Sequence, residues 1–187
     1  MKKGFFQKLY KFDKKSKTYL IEVSLDDYDD VFDDWDPSPF KKRDIEDEFS
    51  DFILDSSMDI PLTFNITLVL YLPQDKKDER KESTLIAAFR NYYQYAIERH
   101  KRANSNLNNR TVFYLCLSLF LLGIGYFFSW DTENIIYNIV HEGIFVGGWV
   151  FLWEFFTNIF IKKRELHRQY RLYKRLLQSE IRFEYVS

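Results

Sequence analysis

Three stretches of the chain alternate apolar and polar side chains with a period of two: Thr18–Leu25 (TYLIEVSL), Leu62–Leu72 (LTFNITLVLYL) and Ile181–Val186 (IRFEYV). Such alternation, in segments rich in β-branched and aromatic residues, predicts half-buried strands. In the second stretch Leu62, Phe64, Ile66, Leu68, Leu70 and Leu72 share one face. Elsewhere the period lengthens to that of a helix. Phe49, Phe52 and Ile53 predict a helix over Ile45–Ser56, capped by Asp44. Leu85, Phe89, Tyr92 and Ala96 form one stripe of a helix from Lys76 to Ala103, with Asp75 as its cap and the polar run Asn104–Asn109 as its end. Leu166, Tyr170, Tyr173 and Leu177 repeat the stripe near the C-terminus.

A two-stranded sheet is marginal alone, and a third strand gives independent stability. The C-terminal strand is therefore expected to return to the sheet begun near the N-terminus. The fold class that follows is an α/β or α+β module with a small three-stranded sheet and two or three helices. A transmembrane α-hairpin is inserted into it.

The hairpin is read from two apolar runs. Thr111–Trp130 contains no charged residue and is bounded by Arg110 and Asp131. Its twenty residues reach about 30 Å as a helix, the thickness of a bilayer core. No core formed by the rest of so short a chain would surround it. The second run, Ile135–Ile161, is interrupted at His141, Glu142 and Glu154. Lys101, Arg102 and Arg110 precede the first run, and Lys162, Lys163, Arg164, Arg168 and Arg171 follow the second. The connector Asp131–Asn134 has no positive charge. That asymmetry predicts spans over 111–130 and 135–161, with both termini in the cytoplasm.

Register then bears on the interrupting charges. If the turn centres between Thr132 and Glu133, Arg110 lies opposite Phe155, and Glu154 lies opposite Thr111. A salt bridge between Arg110 and Glu154 is expected at the cytoplasmic mouth, with Trp149 and Trp153 as interfacial anchors. His141 and Glu142 fall opposite Ile124 and Gly123, where burying a charge costs at least about 2.5–3.5 kcal/mol. Gly123, Gly125, Gly143, Gly147 and Gly148 gather near this level and permit close helix contact. Two readings stand open. His141 and Glu142, with Gly143 and Gly147, line an ion path or helix contact between subunits; or Ile135–Glu142 is re-entrant and the span is Gly143–Ile161.

Charge changes the picture because it is segregated. Fifteen Asp or Glu face three Lys or Arg between Glu22 and Asp59, whereas Lys162–Arg182 holds eight Lys or Arg against two Glu. The acidic loop Asp26–Asp36 lacks the glycine and closing glutamate of an EF-hand. It is read as solvated, with docking on the basic helix after Ile161 as an alternative. Lys162, Lys163 and Arg164 are placed against anionic headgroups, a better partner than nucleic acid for a basic helix beside a span. The opening Met1–Phe12 has no apolar run of seven, so it is not read as a signal peptide. It is a basic tail, either disordered or dipping Phe5, Phe6, Leu9 and Phe12 into lipid. A single Cys116 excludes an internal disulfide and a CxxC metal site. No phosphate-binding glycine loop, Ser/His/Asp set or HExxH motif is present. The chain is accordingly read as non-catalytic, without cofactor or metal.

The segments Asp34–Phe40 (DWDPSPF), Asp59–Leu62 (DIPL) and Gly147–Glu154 (GGWVFLWE) together resemble a group of uncharacterised bacterial two-span inner-membrane proteins. The resemblance implies a bacterial plasma-membrane location and no activity. The expected organisation is a basic tail (1–17), a cytoplasmic α/β domain (18–105), the hairpin (110–161), and a basic helix with the completing strand (162–187). Its expected partners are the bilayer, further copies of the chain as a homo-oligomer, and a protein of unknown identity. An oligomeric ion-conducting pore or membrane-disrupting defence effector is the alternative function.

Overall fold

The computed structural model describes residues 6–33, 45–127 and 134–186. The expected cap Asp44, the motif Asp34–Phe40, Phe5, Ser187 and the connector up to Glu133 lie outside the described residues. The chain divides into two compact units, Met1–Glu98 with Gln169–Ser187 and Arg99–Arg168.

The first unit begins with a one-turn helix α1 (Phe6–Leu9), strand β1 (Phe12–Asp13) and strand β2 (Thr18–Ser24). Helix α2 (Asp47–Asp59) and strand β3 (Asn65–Pro73) follow, then the start of a long helix α3 (Glu79–Phe127). After helix α4 (Ile135–Thr157) in the second unit, helix α5 (Lys163–Gln178) leads into strand β4 (Glu180–Val186). The sheet runs β1-β2-β3-β4, with β1 antiparallel to β2 and the other neighbours parallel.

The C-terminal strand therefore does join the sheet, but the sheet has four strands where three were expected. The additional strand comes from the segment read as a basic tail. Asp13 closes the turn by accepting from the Lys15 N–H at 2.9 Å and the Ser16 hydroxyl at 2.9 Å, and Lys17 takes the left-handed conformation at φ 57°. Phe6 packs edge-on to Tyr19 at 5.3 Å, which commits it to the module's own core. Leu9 and Phe12 remain exposed. Basic composition concealed this hairpin, because Lys8, Lys11, Lys14, Lys15 and Lys17 point to solvent around a few aromatic anchors.

Alternation along β3 sends Ile66, Leu68, Leu70 and Leu72 to the core shared with β2 residues Tyr19 and Ile21. Thr67 and Val69 on its other face are also fully buried, so β3 is the central strand in every sense. Phe49 and Ile53 of α2, Leu85, Ala88, Phe89 and Tyr93 of α3, and Leu176 of α5 complete the core. Phe52 does not share it and is 51% exposed, one residue out of phase with Ile53. Tyr93 is more buried than Tyr92, which donates to or accepts from the Ser50 hydroxyl at 3.0 Å.

Two helix boundaries differ from expectation. Asp78, not Asp75, caps α3, accepting from the Arg80 N–H at 2.8 Å and the Lys81 N–H at 3.3 Å. The run Asn104–Asn109 continues the helix instead of ending it. Asparagine is a poor helix former but costs well below 1 kcal/mol per residue relative to alanine, and the run contains neither proline nor glycine. Arg175 closes the far end of α2. Its guanidinium donates to the carbonyls of Ser57, Ile60 (2.9 Å) and Pro61 (3.2 Å) and to the Ser57 hydroxyl (2.7 Å). Burial pushes that guanidinium down to about 10, so it remains charged where the helix dipole is negative.

Candidate functional site

The second unit holds α4 and the part of α3 beyond Glu98. Both helices are long and apolar enough to cross a membrane. Within Thr111–Phe127 the buried residues are Thr111, Ser118 and Gly125, spaced seven apart. A seven-residue repeat keeps one seam of a helix against its neighbour. The facing seam on α4 carries His141, Phe145 and Gly148, at steps of four and three. The Nε2 of His141 lies 2.6 Å from the Gly125 carbonyl oxygen. A carbonyl only accepts, so this nitrogen carries the proton. The ring of His141 also stacks on Tyr137 at 6.1 Å and 15°.

Among the glycines of the pair, Gly148 is the most tightly enclosed. A Cβ there would lie 2.8 and 2.9 Å from Leu122 side-chain carbons and 3.1 Å from the Leu122 backbone nitrogen. At Gly125 an added Cβ would meet the Phe145 ring at 3.1 Å. Of these glycines, the two grouped from sequence with His141 and Glu142 are less constrained. Gly143 has open space around it, and Gly147 would meet only Leu121 at 3.8 Å. Phase is the signal that distinguishes them: Gly148 lies seven residues after His141, while Gly147 lies six after it.

The interrupting charges are also redistributed. Glu142 follows His141 by one residue, about 100° around the helix, and its side chain is exposed. The two side chains therefore leave the helix in different directions, His141 toward Gly125 of α3 and Glu142 outward. Glu154 is ion-paired with Lys162 at 3.3 Å. Arg110 donates to the Tyr114 hydroxyl at 3.1 Å and lies over that ring at 5.8 Å. The salt bridge expected between Arg110 and Glu154 thus gives way to separate partners, although the Glu154 charge is still felt at Arg110. A π-helical turn, Asn158–Lys162, separates Glu154 from the start of α5 and explains why Lys162 reaches back to it. Lys163 and Arg164 are exposed. Asn158 and Ser118 are fully buried, and among the described residues neither side chain has a hydrogen-bond partner.

In the first unit a polar cluster sits where the parallel strands end. The Asp78 N–H donates to the Tyr28 hydroxyl at 3.3 Å, Tyr28 and Tyr185 share a hydrogen bond at 2.8 Å, and the Tyr185 hydroxyl donates to Glu82. Burial, then Glu82, holds the Tyr185 phenol well above the usual tyrosine range, which keeps it protonated as a hydrogen-bond donor. Asp27 pairs with Lys76 at 2.8 Å and with Lys81 at 3.3 Å. Lys76 and then Lys81 pull its carboxyl down to about 2. Its cations therefore come from the β3–α3 connection and the first turn of α3, so this residue of the acidic loop Asp26–Asp36 is held within its own unit; the loop beyond Asp33 lies outside the described residues. The parallel strands follow chain order, so among the described residues the sheet shows no reversal of winding where open α/β sheets form a ligand crevice. Among the described residues no three His, Cys, Asp or Glu are grouped to hold a metal ion. The cluster ties β4 to α3, and its chemistry is that of a structural lock.

No family model, curated protein or solved structure matches the chain.

Proposed function

We propose that the chain is a non-catalytic two-pass membrane protein whose α/β module binds a protein partner or assembles with further copies. The observation that carries this reading is the outward face of the helical pair. Phe113, Phe120, Ile136, Val146, Trp149 and Trp153 are all exposed there, Trp153 to 74%. Soluble monomers rarely expose a contiguous apolar surface along both helices of a pair, and a bilayer covers such a surface. Lys163 and Arg164 after the second helix suit anionic headgroups, and the charge asymmetry favours both termini in the cytoplasm. By its resemblance to bacterial two-span proteins, the membrane is the bacterial inner one. Alkaline carbonate should leave the protein in the membrane pellet, with release only by detergent. Release by carbonate alone would contradict the reading.

Glu142 favours a second reading. An exposed carboxylate on an apolar helix calls for a partner or water, and several copies arranged with Glu142 inward would enclose an ion path, the pore alternative. Glu142→Leu should then abolish ion flux in proteoliposomes while leaving insertion intact. Absence of flux from the parent protein would remove this reading.

A further inference from the structure

β4 is the outer strand of the sheet, and among the described residues its hydrogen-bonding edge beyond β3 has no strand against it. Burial agrees with an open edge. Leu68, Leu70 and Leu72 of β3 are fully buried, whereas their register partners Ile181, Phe183 and Tyr185 are only half-buried. Seven residues (EIRFEYV) run without proline, glycine, lysine or a recorded bulge. Proline, lysine and bulges are devices that protect such an edge from templating another strand; the charges β4 does carry, Glu180, Arg182 and Glu184, alternate onto one face and leave Ile181, Phe183 and Tyr185 on the other.

The sequence of β4 also specifies which strand. Laid antiparallel to itself about Phe183, the strand pairs along its whole length: Glu180 with Val186, Ile181 with Tyr185, Arg182 with Glu184, and Phe183 with its own copy. The Arg182–Glu184 pair occurs twice by symmetry, and directly opposed opposite charges favour a register. Centring the pair on Arg182 would oppose Arg182 with itself and Glu180 with Glu184. Moving by an odd step would turn Phe183 from the apolar face to the polar one. Arg182 has capacity for the added contact, since its existing partners Asp13 and Glu180 each lie 3.4 Å away. Glu184 is exposed.

We propose that β4 is the self-association surface: two chains join their sheets through antiparallel β4–β4 pairing centred on Phe183. This deepens the assembly part of the function proposed above. The whole interface is isologous, as a two-fold dimer requires.

The test uses the full chain with Cys116→Ser, in isolated membranes. Two differently tagged forms, one Glu180→Cys and one Val186→Cys, are coexpressed and oxidised. Both positions are exposed strand ends, so neither substitution disturbs the core. The two forms should cross-link to each other, at least tenfold more than either does to itself, because like positions lie about 20 Å apart in the antiparallel pair. Adding Arg182→Glu to both forms should reduce the cross-link, and adding Glu184→Arg as well should restore it. Equal self-linking, no linking, or no response to the charge reversal would overturn the pairing. Carbonate extraction of the same membranes separates the two proposals. A retained but unlinked protein rejects only the β4 pairing, and a released protein rejects the membrane reading.

Discussion

Asp27 shows how much of the acidic region is committed within the fold. It caps the short 3-10 turn Tyr28–Val31, with Asp30 reciprocating, and meets Lys76 and Lys81. A carboxyl lowered in the folded state contributes stability that is present above its ordinary value and fades as pH falls toward the folded one. For Asp27 that window runs from 3.8 down to about 2. Asp27→Asn should therefore lower stability at pH 7, by at most about 1 kcal/mol because the pair is partly solvated. The two denaturation curves should converge as the pH falls through that window. A gap that persists at the acid end would assign the effect to something other than the ion pairs. Acidic clustering was legible in the sequence, but its partners were not, because Lys76 and Lys81 reach Asp27 only after β2 and β3 align. Glu154 teaches the same point at shorter range. Counting put Glu154 near Arg110, where its charge does act, while the choice of Lys162 over Arg110 depended on a π-turn that no periodicity announces.

At the scale of elements, period-two and period-three-to-four patterns located β2, β3, β4, α2 and α5 within a few residues. Failures arose where local preference is weak. Five lysines masked the β1 hairpin, and asparagines suggested a break that the continuous α3 does not make. In the helical pair, only Gly125 and Gly148 of the five clustered glycines sit at a close contact, and the seven-residue spacing of Thr111, Ser118 and Gly125 identifies the seam. Gly148 is its most demanding position. Gly148→Val should destabilise the pair in detergent by about 1–3 kcal/mol, the usual cost of overpacking. Leu122→Ala in the same chain should recover part of that loss, and only part, because the Leu122 backbone nitrogen also stands close. Gly143→Val, at an open position, should change little. Equal effects at Gly143 and Gly148 would mean that the helices meet on another face.

For the whole molecule, the defining feature is that strands from before and after the apolar helical unit in the sequence belong to one sheet. β4 completes the sheet only after the chain has passed through both apolar helices. If those helices form a two-pass hairpin, the two flanking segments must emerge on the same side of the bilayer. That geometric requirement agrees with the charge asymmetry, although the two arguments use different residues. The most direct measurement places single cysteines at Thr132 and at Val186, each with Cys116→Ser, and treats intact cells with a membrane-impermeant maleimide. Thr132→Cys should be labelled from outside, and Val186→Cys should be labelled only after the cells are lysed. Labelling of Val186→Cys in intact cells, or protection of both positions until lysis, would contradict the two-pass account.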